Sequence, residues 1–353
     1  MPTEPLPSAA NAENLATALR RYGVLGDACV SDVVVENMRP TILSQIFRLR
    51  LTYDGAAPEA PRTVILKTRH PGRRDTGWSG GRHEVAFYTD IAPLMPTRLV
   101  PHCFDAHWDA AANSWHLLLE DLNESHVIAT AWPLPPTQHQ CETILGALAR
   151  FHAAWWDDPR LGSSVGTRRS AADIERFVGD FAQAFARFVD RAGDCLSADR
   201  RALYERWPIV APRVITRYQH QRNLTIAHGD AHVWNAFVPR DGGDDVRLFD
   251  WDGWRIAMAS GDLAYMMAMH WYPHRRRLME RSLLDRYHAT LLAHGVRDYD
   301  RQALDDDYRL SVLWNITQPV WQATQDIPPV IWWNNMERIF LAFDDLGCRD
   351  LLG

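Results

Sequence analysis

Thr225-Ile-Ala-His-Gly-Asp-Ala-His-Val-Trp-Asn-Ala-Phe-Val-Pro239, followed after a short insert by Val246-Arg-Leu-Phe-Asp-Trp-Asp252, is the stretch from which the rest of the chain can be placed. An apolar lead-in runs into the polar triplet His228-Gly229-Asp230, and Asn235 comes five residues after Asp230. Ala236-Phe237-Val238 and Val246-Arg247-Leu248-Phe249 have strand character, and the Asp241-Gly242-Gly243 between them signals a hairpin. A hairpin of this length brings the end of its second strand back beside the start of its first. Asn235 and Asp250 are therefore expected as neighbours, with Asp230 close by.

An Asp and an Asn at the mouth of a hairpin suit Mg²⁺, which takes few protein oxygens and fills its shell with phosphate and water. A third carboxylate beside them is what phosphoryl transfer to a hydroxyl requires, to orient the nucleophile or take its proton. The spacing Asp-x-x-x-x-Asn followed by a further Asp is met by Asp230, Asn235 and Asp250. Two rival readings are weaker. His228, Asp230 and His232 form a His-x-Asp-x-His set that could serve a hydrolytic metal, but such sites need further histidines at coordinating distance. Among 15 histidines stray matches are expected. Asp250-Trp251-Asp252 matches the Asp-x-Asp of metal-dependent glycosyltransferases, yet what precedes it is helical in pattern rather than an α/β nucleotide unit.

His-Gly-Asp-x-x-x-x-Asn, then Phe249-Asp250-Trp251-Asp252 and Gly261-Asp262-Leu263-Ala264, together resemble the aminoglycoside phosphotransferase and choline-kinase superfamily. The run Leu118-Leu119-Glu120-Asp121-Leu122 looks most like its ecdysteroid-kinase-like branch. The resemblance implies an α+β, protein-kinase-like, two-lobed fold. Its N-terminal nucleotide-binding lobe, residues 1–122, would hold a five-stranded antiparallel sheet with a helix. A hinge near 119–123 would lead to a mainly helical C-terminal lobe, residues 123–353, carrying the catalytic β-hairpin and the acceptor site. It further implies ATP and Mg²⁺ as cofactors, with Asp230 as the catalytic residue and Asn235 and Asp250 as metal ligands. Backbone groups of Glu120 and Leu122 would meet adenine. Asp262 would brace the catalytic loop through backbone amides, His228 would pack within that loop, and Asp252 would either help the metal or brace the loop.

Upstream, the hydrophobic periodicity agrees. Asn11 to Tyr22 reads as a helix ending at Gly23, Val33-Val34-Val35 as a strand, and Phe47, Leu49, Leu51 and Tyr53 alternate with Arg48, Arg50 and Thr52. The intervening turn, Glu36 to Leu43, stands where a kinase places its phosphate-covering loop, but it contains no glycine. Thr41, Ser44 and Gln45 are the side chains left to contact phosphate, or the grip is weak. Thr63 to Lys67 is a strand ending in lysine, and the helix Gly81–Leu94 carries Glu84 near its start. The resemblance makes Lys67 the ligand of the α- and β-phosphates and Glu84 its partner. Gly77-Trp78-Ser79-Gly80-Gly81 matches a Gly-x-Ser-x-Gly nucleophile elbow but lacks the strand that must run directly into it, so it reads as a linker. Strands from Leu99 to His107 and Trp115 to Leu119 complete the sheet. Beyond the prolines at 133, 135 and 136 the pattern is helical, with Ile144, Leu148, Phe151 and Trp155 on one stripe and Phe177, Phe181 and Phe185 on another.

Composition narrows the setting. A chain of 353 residues suits two lobes. A net charge of −6 and the lack of any basic tract beyond Arg275-Arg276-Arg277 argue against a nucleic-acid partner. Five scattered cysteines without a Cys-x-x-Cys favour a reducing compartment, and neither a signal peptide nor a membrane span is legible. The expected setting is cytoplasmic, and nothing in the pattern sets an oligomeric state.

The expected partner is a small-molecule hydroxyl acceptor. Trp271, Trp314, Trp321, Trp332 and Trp333, with Asp305-Asp306-Asp307, Glu337, Asp344 and Asp345, could hold an amine by cation–π contact worth about 0.5–2 kcal/mol and by ion pairing. The same residues read equally as core aromatics and surface acids, or as walls for an apolar alcohol. The alternative to an enzyme is a kinase-like nucleotide or ligand binder that has lost transfer.

Overall fold

The computed structural model describes residues 6–70, 80–214, 217, 220–325 and 327–352. The chain divides into two compact units, residues 1–127 with 237–253, and residues 128–236 with 254–353.

The first unit is built on β1 (Cys29–Pro40), β2 (Ser44–Asp54), β3 (Thr63–Arg69), β4 (Cys103–Asp109) and β5 (Ser114–Glu120). These form one antiparallel sheet in the order β1-β2-β3-β5-β4. The period-two alternation of β2 places Phe47, Leu49 and Leu51 in a core with Val64, Leu66 and Leu118. Leu15 and Leu19 of α1 (Ala12–Tyr22) complete it. Full burial of such a side chain is worth about 1.5–3 kcal/mol. Helix α1 starts at Asn11, whose side chain accepts the Asn14 N–H, and ends at Gly23.

One boundary differs from the sequence reading. Pairing continues from Asn37↔Arg48 to Pro40↔Gln45, so Glu36 to Pro40 are strand and only Thr41 to Leu43 lie outside it. β1 is the sheet edge, where a proline's missing N–H costs no ladder bond.

Helix α2 (Gly80–Ala86) continues through a π-helical turn (Phe87–Ile91) and a 3-10 turn (Ala92–Leu94), close to the expected helix. A Cβ on Gly81 would lie 2.1 Å from Trp115 Nε1, so only glycine lets this helix seat against β5. Of the elbow-like Gly-x-Ser-x-Gly, Gly77, Trp78 and Ser79 lie outside the described residues, and Gly80 and Gly81 are helical. A small sheet, β6 (His126–Ile128), β8 (Ala236–Pro239) and β9 (Arg247–Leu248), contains the expected hairpin.

The second unit is mainly helical. Its helices are α3 (Gln138–Ala154), α4 (Ala171–Ala192), α5 (Ala198–Val214), the short α6 (Ser260–Leu263), α7 (Pro273–Ala293), α8 (Arg301–Asn315), α9 (Gln318–Thr324) and α10 (Pro329–Asp345). A two-stranded ribbon pairs β7 (Thr225–Ala227) with β10 (Arg255–Ala257). Thr137 opens α3 with a capping box closed by Gln140, directly after the proline run. The Ile144, Leu148, Phe151 and Trp155 stripe is at most 1% exposed. Phe181 and Phe185 of α4 pack on Tyr204 and Trp207 of α5. Among the described residues no helix is long and apolar enough to cross a membrane.

Candidate active site

In the first unit, Lys67 Nζ lies 2.6 Å from Glu84 Oε2 and 2.5 Å from Asp250 Oδ1. Three local causes bring these groups together. The lysine is buried on β3, and Glu84 is buried on the first turns of α2. One turn further on, Phe87 stacks face to face on Trp251, with centroids 4.0 Å apart and planes at 5°. The Trp251 backbone also hydrogen-bonds the Glu84 carboxylate. This pins the segment after β9 to α2 and presents Asp250, which adopts a left-handed φ of 68°. Asp is among the residues that tolerate this region, and such conformations cluster at functional positions.

Burial alone would discharge the Lys67 ammonium, but Asp250 and Glu84, with a smaller contribution from Asp252, outweigh it and raise its pKa. Burial pushes the Glu84 carboxyl up against the pull of Lys67. The lysine is thus a fixed, buried cation facing two carboxylates.

The Glu120–Leu122 segment is held by its side chains. Glu120 is paired with Arg98 and accepts the His102 N–H at 3.2 Å. Asp121 accepts from Arg48 Nε at 2.6 Å and from the backbone and side chain of Asn123. The Leu122 carbonyl takes the N–H groups of Ser125 and His126, at 3.1 and 2.8 Å. At the β1–β2 turn, Thr41 Oγ1 accepts the Leu43 and Ser44 amides at 3.2 and 2.8 Å and lies 2.9 Å from Ser44 Oγ. Gln45 Nε2 reaches Met38 Sδ at 3.0 Å. Ser44 and Gln45 are both buried, and these bonds keep them within the hairpin.

In the second unit, the loop after β7 is fixed from below. Asp262, 1% exposed, accepts the His228 N–H at 2.6 Å and the Gly229 N–H at 2.9 Å. Gly229 has φ 84°, which turns the chain so that both amides meet one carboxylate. His152 Nε2 lies 3.1 Å from Asp262 Oδ2, and His152 Nδ1 lies 2.7 Å from the Tyr287 hydroxyl. Burial raises the Asp262 carboxyl, but the His152 bond and charge and the loop amides reverse this and hold it below the usual range.

On the other side of that loop, Asn235 Nδ2 donates to the Asp230 carbonyl at 3.0 Å and to Asp230 Oδ2 at 2.9 Å. The amide nitrogen is spent on Asp230, so Oδ1 is the atom with which Asn235 could meet a cation. His228 Nδ1 accepts the Asp230 N–H at 3.3 Å, a bond within the loop. His232 Nε2 stands 3.5 Å from Asp230 Oδ2.

Sequence reasoning missed His152 and Tyr287, which are fully buried on α3 and α7. The one available signal was a histidine directly after Phe151 on an otherwise apolar stripe, and that alone does not name a partner.

The ecdysteroid kinase-like family model matches residues 41–297 of this chain. No curated protein matches it in sequence. In fold it is similar to a candidate aminoglycoside phosphotransferase from Ralstonia eutropha JMP134, with a TM-score of 0.59 and 14% identity over 96% of this chain and 97% of that one. Choline kinase from Cryptosporidium parvum Iowa II gives a TM-score of 0.58 with 10% identity, covering 91% of each chain. A GDP complex of a point mutant of aminoglycoside 2′-phosphotransferase of type IIIa gives 0.52 with 11% identity, covering 96% of this chain and 98% of that one. These likenesses establish a kinase-like fold. With the family model spanning well over half its length, the chain belongs to the ecdysteroid kinase-like family.

Proposed function

We propose that the chain is a small-molecule kinase that transfers the γ-phosphoryl group of ATP to a hydroxyl of an organic acceptor. The observation that carries this reading is the buried Lys67 ammonium held by Glu84 and Asp250 at 2.6 and 2.5 Å. A buried cation facing two carboxylates costs desolvation that structure alone does not require. It suits a site where one carboxylate is released to a metal and the lysine to phosphate.

The residues fit Mg²⁺. The Asp250 carboxylate and the Asn235 carbonyl oxygen are hard donors, and both would hold the metal. A bound magnesium–ATP supplies the transferable phosphoryl group and neutralises its charge. Lys67, kept charged by Glu84, binds phosphate oxygens. The Glu120 carbonyl and the Leu122 N–H bind adenine. Asp230 orients the acceptor hydroxyl and takes its proton, while Asn235 steadies its Oδ2. Asp262 holds the amides of 228 and 229, so Asp230 is aimed before substrate arrives. With five free cysteines we place this activity in a reducing, cytoplasmic setting.

The test is thermal unfolding with ATP, GTP and ADP, each with and without Mg²⁺, on wild type and Asp250→Asn. A ligand at a hundred times its Kd stabilises the folded state by about 2.7 kcal/mol. A Mg²⁺-dependent shift, lost in the variant, is expected. No shift with any nucleotide would overturn the reading. A second reading, a nucleotide binder without transfer, is favoured by the self-bonded turn at Thr41–Ser44. Asp230→Asn separates the two: nucleotide binding survives, and any transfer seen with wild type disappears.

A further inference from the structure

The acidic residues that could recognise an amine on the acceptor are already engaged. Glu337 makes a two-pronged bond with Arg200, at 2.5 and 2.7 Å. Asp307 does the same with Arg217, at 2.7 Å on both oxygens, and also accepts the Tyr299 hydroxyl. Asp345 is clamped by Arg276 and Arg277, Asp344 by Arg349 and Asp305 by Arg301, while Asp306 accepts from Gln302. Two of the tryptophan faces are also taken by cations of this chain, Trp271 by Arg275 and Trp332 by Arg191.

The surroundings of Asp230 have the opposite character. His232 packs its ring against Trp234, Tyr265 and His270, with centroids 5.4, 6.4 and 5.4 Å away. Burial pushes the His270 imidazole down to about 3, with His232 adding to the fall, so His270 is uncharged at neutral pH. Next along is Arg338. Its Nη1 donates to the His270 carbonyl at 3.2 Å, and its head lies 4.7 Å over the Tyr272 ring. Arg338 forms no ion pair among the described residues, in contrast to Arg200, Arg217, Arg276 and Arg277. Three polar atoms of this strip, His232 Nδ1, Trp234 Nε1 and Arg338 Nε, are buried without a hydrogen-bond partner among the described residues. Buried polar groups left unmatched mark a place where something else completes the bonding.

We infer that the acceptor is a hydroxy acid with a planar or apolar body, its body lying on the His232–Trp234–Tyr265–His270 rings and its carboxylate paired with Arg338. This rests on the kinase reading for what happens to the hydroxyl, but not for the binding itself. A guanidinium pairs a carboxylate through two parallel N–H bonds. An ammonium in the same place would meet a like charge and find the acids from Asp305 to Asp307 and from Glu337 to Asp345 already occupied.

The experiment compares three probes of closely similar size that share the 2-hydroxyl: phenyllactate, 3-phenylpropane-1,2-diol and 1-amino-3-phenylpropan-2-ol, which carry at C1 a carboxylate, a neutral hydroxyl and an ammonium. Affinity is measured by calorimetry without nucleotide, on wild type, Arg338→Gln and Arg338→Lys. Phenyllactate is expected to bind at least about tenfold more tightly than the diol, and the amino alcohol most weakly, as one oriented ion pair allows. Arg338→Gln should collapse the preference for phenyllactate over the diol, and Arg338→Lys should restore part of it, which a merely structural arginine would not do. The amino alcohol binding as well as phenyllactate, no difference among the three, or a preference unchanged in Arg338→Gln would overturn the inference. Phenyllactate bound with this preference but never phosphorylated in the presence of Mg²⁺ and ATP would leave the inference standing and remove the kinase reading instead.

Discussion

Two short polar segments of this protein, the loop at 228–235 and the turn at 41–44, satisfy their backbones in opposite ways. The loop is held from outside: Asp262, itself bonded by His152, takes the amides of His228 and Gly229. The turn is held from within, because Thr41 Oγ1 takes the amides of Leu43 and Ser44. With the amides of 228 and 229 met by a distant carboxylate, the Asn235 amide is turned on Asp230 instead of on the backbone at the loop's start. A turn that caps itself has spent the amides and hydroxyls that a phosphate would need. The difference explains how the β1–β2 hairpin turns without glycine, as a tight turn closed by its own threonine.

The largest expected effect comes from cutting the outside support. Asp262→Ala leaves two amides and the His152 N–H buried without an acceptor, each costing about 1–3 kcal/mol. Loss of about 3–5 kcal/mol in urea unfolding is expected. A loss below 1 kcal/mol would mean that the loop holds itself, as the turn does.

A smaller effect should appear with pH, through the ring that packs on the loop. His270 has a folded value of about 3 against an ordinary value of 6.5. Between these the unfolded chain binds more protons than the folded one, so stability is full above pH 6.5 and falls as the pH drops. The slope from this group is up to about 1.4 kcal/mol per pH unit. His270→Gln should flatten that part of the stability profile, and an unchanged slope in the variant would show that other groups set it.

Smallest is the turn. Thr41→Ala removes its internal bonds at a cost of about 1 kcal/mol, read as a shift in the urea midpoint. Nucleotide affinity should stay the same or rise, since the Leu43 and Ser44 amides are freed. A clear fall in affinity would instead mean that the Thr41 hydroxyl itself meets phosphate.

How far the sequence alone reached depends on the range of the interactions involved. Alternation along Phe47–Tyr53, the caps at Asn11 and Gly23, and the Asp-Gly-Gly hairpin are local signals, and each corresponds to an element of the fold. The extent of β1 was misread because Glu36–Pro40 has no apolar alternation of its own. It is strand because β2 pairs with it as far as Gln45.

Spacing within one loop also singled out Asp230 and Asn235, and their side chains are bonded at 2.9 Å. What no local pattern could supply were contacts between residues far apart in the chain. Lys67 meeting Asp250 across 183 positions, and His152 meeting Asp262 across 110 and Tyr287 across 135, depend on which helix packs on which strand. The acids near the C-terminus show the same limit, because a carboxylate reads alike whether it is open to a ligand or closed by an arginine. Glu337 and Arg200 are 137 residues apart, and only the packing of α5 and α10 made them a pair. Composition and periodicity determined the elements and the Asp-x-x-x-x-Asn spacing. Tertiary structure decided which charges remained available, because pairing between distant side chains is set by packing and leaves no local trace.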